Sequence, residues 1–144
     1  MADNIVQRFL IDQSPTLTAL KKTLDAEAMR QKAHAQNIAN AETPGYRRIA
    51  VDFEEQLKTA LEGSQADHLR RADPRHVQKD GAGALSELRP TIREEEPPAD
   101  NSGVNGVDLE VEMAQMAETQ IKYLAAAEML KQRYAGLKTA IRGQ

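Results

Sequence analysis

The chain has 144 residues and a net charge of −3, and it holds 22 alanines but only 28 residues that are Leu, Ile, Val or Phe. Large apolar side chains are therefore too scarce to build a deep core with an enzyme pocket. The absence of cysteine excludes disulfides, zinc–thiolate sites and cysteine nucleophiles. A pI near 5.7 provides no basic surface for nucleic acid.

The first predicted element is a long helix in the part of the chain that ends near residue 45. Ser14 is a suitable N-cap, and Pro15 suits the first helical position because its missing N–H would have no partner there. Apolar residues then recur at steps of three and four, which predicts one buried stripe. The stripe comprises Leu17, Leu20, Leu24, Ala28, Ala35 and Ile38.

A turn is predicted directly after this helix. Asn40 is suited to close the helix because asparagine tolerates the left-handed conformation and bonds backbone groups. Pro44 favours an extended Thr43, and Pro44-Gly45 is the central pair of a type II turn. Tyr46 then offers an apolar ring with a polar tip that can fold back onto the helix. We call the segment from Asn40 to Tyr46 the elbow.

A short amphipathic helix is predicted within residues 46–61. Phe53, Leu57 and Leu61 follow one another at a spacing of four, and Gly63 is expected to stop the helix.

Residues 64–106 are rich in proline, glycine and turn residues and predict loops. A short strand near Val77 or Ile92 is the alternative to an irregular middle segment. The run Glu94-Glu95-Glu96 is expected to be solvated because Pro97-Pro98 follows it. The basic residues Arg70-Arg71 and Arg75-His76 are too few for nucleic-acid binding and predict a solvated loop.

The last predicted helix extends from Val107 to Arg142 and carries the strongest pattern. A heptad seam of alternating steps of four and three continues for more than four heptads. The seam comprises Leu109, Met113, Met116, Gln120, Tyr123, Ala127, Leu130, Tyr134, Leu137 and Ile141. A second row, with Ile121 and Leu124, widens the apolar surface on one flank. One antiparallel partner helix cannot cover both rows, so we expect Ile121 and Leu124 to face neighbouring subunits.

No catalytic, cofactor or metal site is predicted. The three histidines, His34, His68 and His76, lack the spacing of convergent ligands, and His34 is expected on a helix flank. The N-terminus lacks a basic region followed by an apolar stretch, which predicts no cleavable secretory signal.

Two blocks of sequence resemble a known family. The block from Asn37 to Arg48, NIANAETPGYRR, is similar to the signature of the bacterial flagellar rod and hook axial proteins. The block from Val107 to Ala114, VDLEVEMA, resembles the C-terminal helix of rod members of that family. Asp73-Pro74-Arg75-His76 is also similar to a segment of some members.

This resemblance implies a mainly α protein whose long N- and C-terminal helices pack as an antiparallel coiled-coil-like hairpin, with a loop-rich middle that holds a short helix or a small β-element. It implies one domain with residues 1–45 as the N-terminal helical part of the axial core, 46–106 as a variable connecting segment and 107–144 as the C-terminal helix. Leu17, Leu20, Leu24 and Ile38 are then expected to pair with the seam from Met113 to Ile141.

The resemblance further implies a non-enzymatic subunit of the proximal rod of the flagellar basal body. Such a subunit crosses the inner membrane through the flagellum-specific type III export apparatus and is not cleaved. It polymerises with its own copies and other rod proteins into a helical tube that spans the periplasm and transmits torque. Its neighbours at the rod base would be the hook–basal-body adaptor and the inner-membrane ring with its export gate. The alternative is a cytosolic coiled-coil adaptor or chaperone-like dimer, which would not need the elbow.

Overall fold

The computed structural model describes residues 14–69, 85–96 and 106–142. Its elements are helix α1 (Pro15–Ala39), strand β1 (Ile49–Asp52), helix α2 (Glu54–Leu69), strand β2 (Thr91–Glu94) and helix α3 (Leu109–Arg142). The protein is thus mainly helical, with long helices near both ends and a small sheet in the middle, as the sequence predicts. None of the helices in these ranges is both long enough and apolar enough to span a membrane.

Helix α1 begins at the predicted residue. Pro15 is its first residue, and the N–H of Thr18 donates to the carbonyl oxygen of Ser14 at 3.0 Å. Pro15 has no N–H to leave unpaired in this first turn, so a proline stabilises the start instead of breaking the helix.

Helix α3 begins two residues later than predicted and ends at Arg142 as predicted. The backbone N–H groups of Glu110 and Val111 both donate to Oδ1 of Asp108, at 3.0 and 3.1 Å. Asp108 is therefore the N-cap, because its carboxylate accepts from N–H groups that have no partner inside the helix. With 34 residues, α3 is about 50 Å long at the α-helical rise.

Strands β1 and β2 form an antiparallel pair in which Val51 lies opposite Ile92 and Ala50 opposite Arg93. The strand predicted near Ile92 is therefore confirmed, whereas the one near Val77 lies outside the described residues, as does the basic pair Arg70-Arg71. The β-branched residues of both strands favour the extended conformation.

Helix α2 differs from the prediction at both ends. Residues 49–52 of the predicted helical segment form β1 instead, and α2 continues through Gly63 to Leu69. Gly63 does not stop the helix because a glycine in a helix costs only about 1 kcal/mol relative to alanine. At the start of α2, the N–H of Leu57 donates to the carbonyl of Phe53 at 2.9 Å.

The chain divides into two compact units, and α1 and α3 contribute to both. Unit 1 (Met1–Lys22, Phe53–Arg89 and Met129–Gln144) has large buried apolar side chains, namely Leu17, Phe53 and Leu85. Unit 2 comprises Thr23–Asp52 and Pro90–Glu128. Its buried apolar residues are small, namely Ala26, Ala33, Val51 and Ala126.

Within unit 2, α1 and α3 pack antiparallel. His34 bonds Glu112. About two turns earlier on α1, Glu27 lies within electrostatic range of Lys122, which is further along α3. Residue numbers thus rise along α1 while those of its partners fall along α3. The predicted antiparallel pairing of the two long helices is confirmed in this unit.

The buried face of α3 is rotated from the predicted seam in unit 2. Leu109 and Met113 are exposed, and the buried positions are Glu112, Thr119 and Ala126. Ile141, at the far end of the seam, is also exposed. The seam positions with intermediate exposure are Met116, Tyr123, Ala127, Leu130, Tyr134 and Leu137. The rotation arises because Glu112 is fully buried among three hydrogen-bond donors, which turns its neighbours Leu109 and Met113 outward.

The buried face of α1 is rotated as well. Ala28 and Ala35, which were predicted on the inner stripe, are exposed, whereas Leu17 is buried as predicted. Leu20, Leu24 and Ile38 have intermediate exposure. The buried positions between residues 26 and 37 are Ala26, Glu27, Ala33, His34 and Asn37. Asn37 lies on this face because it bonds to both β1 and α3, and His34 because it bonds to α3.

Candidate functional site

The elbow has the predicted turn at its centre. The N–H of Tyr46 donates to the carbonyl of Thr43 at 3.2 Å, which closes a four-residue turn around Pro44 and Gly45. Gly45 has φ +74°, the value that a type II turn requires at its third residue. The turn predicted from the Pro-Gly pair is therefore confirmed.

Asn40 closes α1 by bonding a backbone group, as predicted, but without the left-handed conformation. Its side-chain Nδ2 donates to the carbonyl of Gln36 at 2.9 Å, and its backbone N–H donates to the same carbonyl at 3.1 Å. No residue other than glycine has a positive φ in the described ranges, so Asn40 does not adopt the left-handed conformation. The side-chain amide satisfies the helix end instead.

Tyr46 folds back onto α1, as expected, through its hydroxyl. Tyr46 Oη donates to Asn37 Oδ1 at 3.0 Å. The same Oδ1 accepts the N–H of Ile49 at 2.9 Å, while Asn37 Nδ2 donates to the carbonyl of Ile49 at 2.9 Å and to Glu112 Oε2 at 3.1 Å. The amide of Asn37 thus uses two donors and two acceptor positions, which is its full capacity.

Glu112 joins α3 to the other elements of unit 2. Its Oε2 lies 2.7 Å from His34 Nδ1 and accepts from Asn37, while its Oε1 accepts from Arg48 Nε at 2.5 Å. An ionised carboxylate can only accept, so His34 Nδ1 carries a hydrogen and donates. We call Glu112, His34, Asn37 and Arg48 the Glu112 cluster.

Arg48 connects the cluster to Glu95, the residue directly after β2, and to Gln115 on the next turn of α3. Its Nη1 donates to Glu95 Oε2 and its Nη2 to Gln115 Oε1, both at 2.7 Å. The N–H of Glu95 also donates to the carbonyl of Arg48 at 2.8 Å. A planar guanidinium can hold three acceptors in fixed directions, so Arg48 sets the position of the strands relative to α3.

The electrostatics of the cluster favour an ionised Glu112. Burial raises the pKa of Glu112, but the hydrogen bonds from His34, Asn37 and Arg48 and the charge of Arg48 outweigh it, so the pKa lies below its ordinary value. Burial also raises the pKa of the Tyr46 phenol, as do the negative charges of Glu112 and Glu94. Tyr46 therefore remains a neutral donor.

This geometry is that of a structural junction. Each oxygen of Glu112 is occupied, and its donors come from α1 and from the segment just before β1. General acid–base catalysis requires a carboxylate with a pKa close to the working pH that can reach a substrate, and Glu112 has neither property. Within the described ranges, no group of three or more His, Asp or Glu residues has a metal-binding arrangement.

Two predictions made for polar side chains differ from the structure. The prediction that His34 lies on a helix flank is wrong, because it is buried against Glu112. The run Glu94-Glu95-Glu96 is not uniformly solvated, because Glu95 is partly buried and binds Arg48. The sequence pattern that could have identified Glu112 as buried is its seven-residue spacing from Thr119, which is repeated at Ala126. These three positions each precede a residue of the predicted seam by one.

The predicted interface residues differ in their position and exposure. The elbow residues Asn40, Thr43, Pro44, Gly45 and Tyr46 lie together at the end of α1. The predicted residues that are exposed on α3 are Leu109, Met113, Ile121, Leu124 and Ile141. Val111 and Met129, which were not predicted, are exposed as well. The other predicted residues of α1 and α3 are buried or half-buried.

Comparisons with known proteins agree with these features. Residues 17–47, which hold most of α1 and the whole elbow, match the family described as flagella basal body rod protein. A flagellar basal body rod protein FlgB of Cereibacter sphaeroides (strain ATCC 17029 / ATH 2.4.9) is 33% identical over 108 residues, covering 75% of this chain and 79% of the relative. The FlgB of Bacillus subtilis (strain 168) is 29% identical over 130 residues, covering 90% and 95%. That of Escherichia coli (strain K12) is 28% identical over 122 residues, covering 84% and 88%.

Proposed function

The chain belongs to the FlgB family of flagellar basal body rod proteins, and from this premise we propose that it is a subunit of the proximal rod. Membership makes it a structural component of the flagellar basal body and not an enzyme. In the proposed assembly, it polymerises with its own copies and with other rod proteins into a helical tube. This tube links the inner-membrane ring and the export gate to the distal rod.

The observation that carries this proposal is the contrast between the two sides of α3 in unit 2. The inner side is fixed by the Glu112 cluster, whose hydrogen bonds are directional and specify one arrangement of α1, β1 and α3. The outer side exposes Met113 at 55%, Ile121 at 68% and Leu124 at 59%. A row of exposed large apolar side chains on one helix is typical of an interaction surface.

We infer that this outer side is covered by neighbouring subunits in the rod. Ile121 and Leu124 are proposed to contact neighbours, as are Leu109, Met113 and Ile141. The residues proposed to join the two long helices within one subunit are Leu17, Leu20, Leu24, Ile38, Met116, Tyr123, Leu130, Tyr134 and Leu137. Burial of apolar area at about 25 cal/mol per Å² would provide the free energy of assembly.

The elbow and the Glu112 cluster are proposed to serve torque transmission. A rod that turns must resist shear between its subunits, and a subunit with one fixed internal geometry passes force on without absorbing it. Hydrogen bonds that satisfy every polar group of Asn37 and Glu112 provide this fixed geometry, because alternative arrangements would leave buried groups unpaired.

Partners beyond the rod proteins also belong to the proposal. The hook–basal-body adaptor, the inner-membrane ring and the export gate are proposed as neighbours at the rod base. Export is proposed to occur through the flagellar type III apparatus without cleavage of a signal. The alternative of a cytosolic adaptor dimer is not retained, because the family is one of basal body rod proteins.

Deletion of the gene tests this function. We expect cells without it to lose swimming while isolated membranes still contain the assembled inner-membrane ring, and a plasmid copy to restore swimming. The chain itself should be present in purified basal bodies. Normal swimming of the deletion strain, or recovery of the chain only from the cytosol, would refute the proposal.

A further inference from the structure

Unit 2 has two outer helix faces of different character. The outer α3 stripe consists of large apolar residues that are all exposed, namely Leu109, Met113, Ile121 and Leu124. The outer α1 stripe consists of exposed residues at steps of four, three and four, namely Ala28, Lys32, Ala35 and Ala39. The first stripe projects large side chains, whereas three of the four residues in the second are alanines.

These two stripes are complementary in shape. Alanines allow the backbone of a partner helix to approach closely, and large side chains of that partner then fill the grooves beside them. Two outer α3 stripes facing each other would place large side chains against large ones. Two outer α1 stripes would bury little apolar area. The pairing that satisfies both surfaces joins unlike faces.

The charges beside the stripes favour the same pairing. In unit 2 the exposed Glu110 and Glu128 lie on the same outer side of α3 as the outer α3 stripe, while the outer α1 stripe contains Lys32 and continues towards the start of the helix through Asp25 to Lys21. Two α3 stripes in contact would bring these carboxylates together, which is unfavourable. An α3 stripe on an α1 stripe places these two carboxylates against a stripe whose exposed charges are two ammonium groups and one carboxylate.

We propose that the outer α3 stripe of one copy packs against the outer α1 stripe of the next copy. This proposal rests on the proposed function and adds to it the surface that each subunit uses. Because the two stripes are different surfaces of one chain, the contact is heterologous. A heterologous contact repeats from subunit to subunit and generates a ring or an open helix, instead of stopping at a dimer.

Cysteine cross-linking tests the pairing without interference, because the chain has no cysteine of its own. One plasmid encodes Ala28→Cys or Ala35→Cys, and a second encodes Met113→Cys or Leu124→Cys with a different epitope tag. Both copies are produced in one deletion strain, and basal bodies are purified and oxidised. Lys58→Cys, an exposed position on α2 outside both stripes, replaces the α1 variants in the matched control.

We expect a disulfide-linked pair that carries both tags from at least one α1–α3 combination, and none from Lys58→Cys with the α3 variants. Efficient homodimers of Leu124→Cys alone would show that like stripes meet, which overturns the proposal. Cross-linking of Leu124→Cys only to another protein of the basal body would overturn it as well.

Absence of every α1–α3 product from basal bodies that contain both variants would also overturn the proposal, provided that each variant supports swimming. This result differs from the one expected if the proposed function itself were wrong. If the chain were not a rod subunit, neither the wild-type chain nor the variants would be present in the purified basal bodies.

Discussion

The side chain of Asn37 pairs with the backbone of Ile49 as a neighbouring β-strand would. Its Oδ1 accepts the N–H of Ile49 and its Nδ2 donates to the carbonyl of the same residue, both at 2.9 Å. Arg30, also on α1, bonds to the same side of β1, since its Nη2 donates to the carbonyl of Val51 at 3.2 Å. Helix α1 thereby covers the edge of β1 that β2 does not pair with, and it fixes where the chain goes after the elbow.

Asn37→Asp should destabilise unit 2 although it preserves size and shape. The change removes both donors, so the carbonyl of Ile49 and Glu112 Oε2 lose a partner, and it places a second negative charge beside Glu112. We expect a loss of about 2–4 kcal/mol in the free energy of unfolding, measured by urea denaturation. Asn40→Asp is the control, since it removes the exposed bond from Asn40 Nδ2 to the carbonyl of Gln36 and should cost less than about 1 kcal/mol. Equal losses in the two variants would contradict the role of Asn37.

Glu112→Ala should be more damaging than the removal of any exposed carboxylate of α3. It leaves the guanidinium of Arg48 and the donors of His34 and Asn37 without their shared acceptor. Removal of one partner from a buried ion pair costs about 3–5 kcal/mol. Glu118→Ala removes an exposed ion pair with Lys122 and should cost far less, because solvent screens an exposed pair. Circular dichroism during thermal unfolding measures both, and a Glu112→Ala variant as stable as Glu118→Ala would contradict the junction.

The stability of the protein should fall in acid, in part through Glu112. The folded pKa of Glu112 lies below its ordinary value of 4.5, so the unfolded chain takes up a proton more readily. The contribution of Glu112 to the free energy of unfolding is fully present above its pKa in the unfolded chain, and it is lost as the pH falls through its pKa in the folded protein. Urea denaturation from neutral pH down to acid should show a weaker pH dependence for Glu112→Gln than for wild type.

The control for this pH dependence is Glu62→Gln, which changes an exposed carboxylate of α2. This variant should keep the wild-type slope. If the free energy of unfolding of Glu112→Gln depended on pH as strongly as that of wild type, the hydrogen bonds of Glu112 would not favour its ionised form.

Gly45→Val should impair the elbow through backbone conformation alone. Space is not limiting, since a Cβ at either Gly45 or Gly136 would meet no atom within 4 Å, yet only Gly45 has a positive φ. A β-branched residue there should cost about 1–3 kcal/mol and impair rod assembly. Gly136→Ala in α3 should instead stabilise the helix by about 0.5–1 kcal/mol. Normal swimming and stability of Gly45→Val would show that the turn is dispensable.

Leu124→Glu should abolish swimming without unfolding the subunit. Leu124 is 59% exposed, so the free energy of unfolding should change by no more than about 0.5 kcal/mol. The new carboxylate would, however, be buried without a partner in the proposed interface. Ala125→Glu, at the adjacent exposed position outside the outer α3 stripe, should swim normally. Wild-type swimming of Leu124→Glu would exclude Leu124 from any contact that the rod requires.

The features predicted correctly from the sequence are those that depend on neighbouring residues. Ser14 and Pro15 mark the start of α1, and Pro44-Gly45 specifies the turn. Caps and turns are formed by atoms a few positions apart, so composition and spacing contain the necessary information. The family resemblance rested on the same local segment and on the first turns of α3.

The buried faces of α1 and α3 could not be predicted in this way. Apolar periodicity placed Leu109 and Met113 inside, but the inner position belongs to Glu112, whose partners His34 and Arg48 lie 78 and 64 positions away. A glutamate in a helix is ordinarily a solvent-facing residue. It becomes the buried centre of unit 2 only when folding brings donors from two other segments to both of its oxygens. The sequence by itself therefore determined the helices and the elbow, while the tertiary structure decided which side of each helix faces inward.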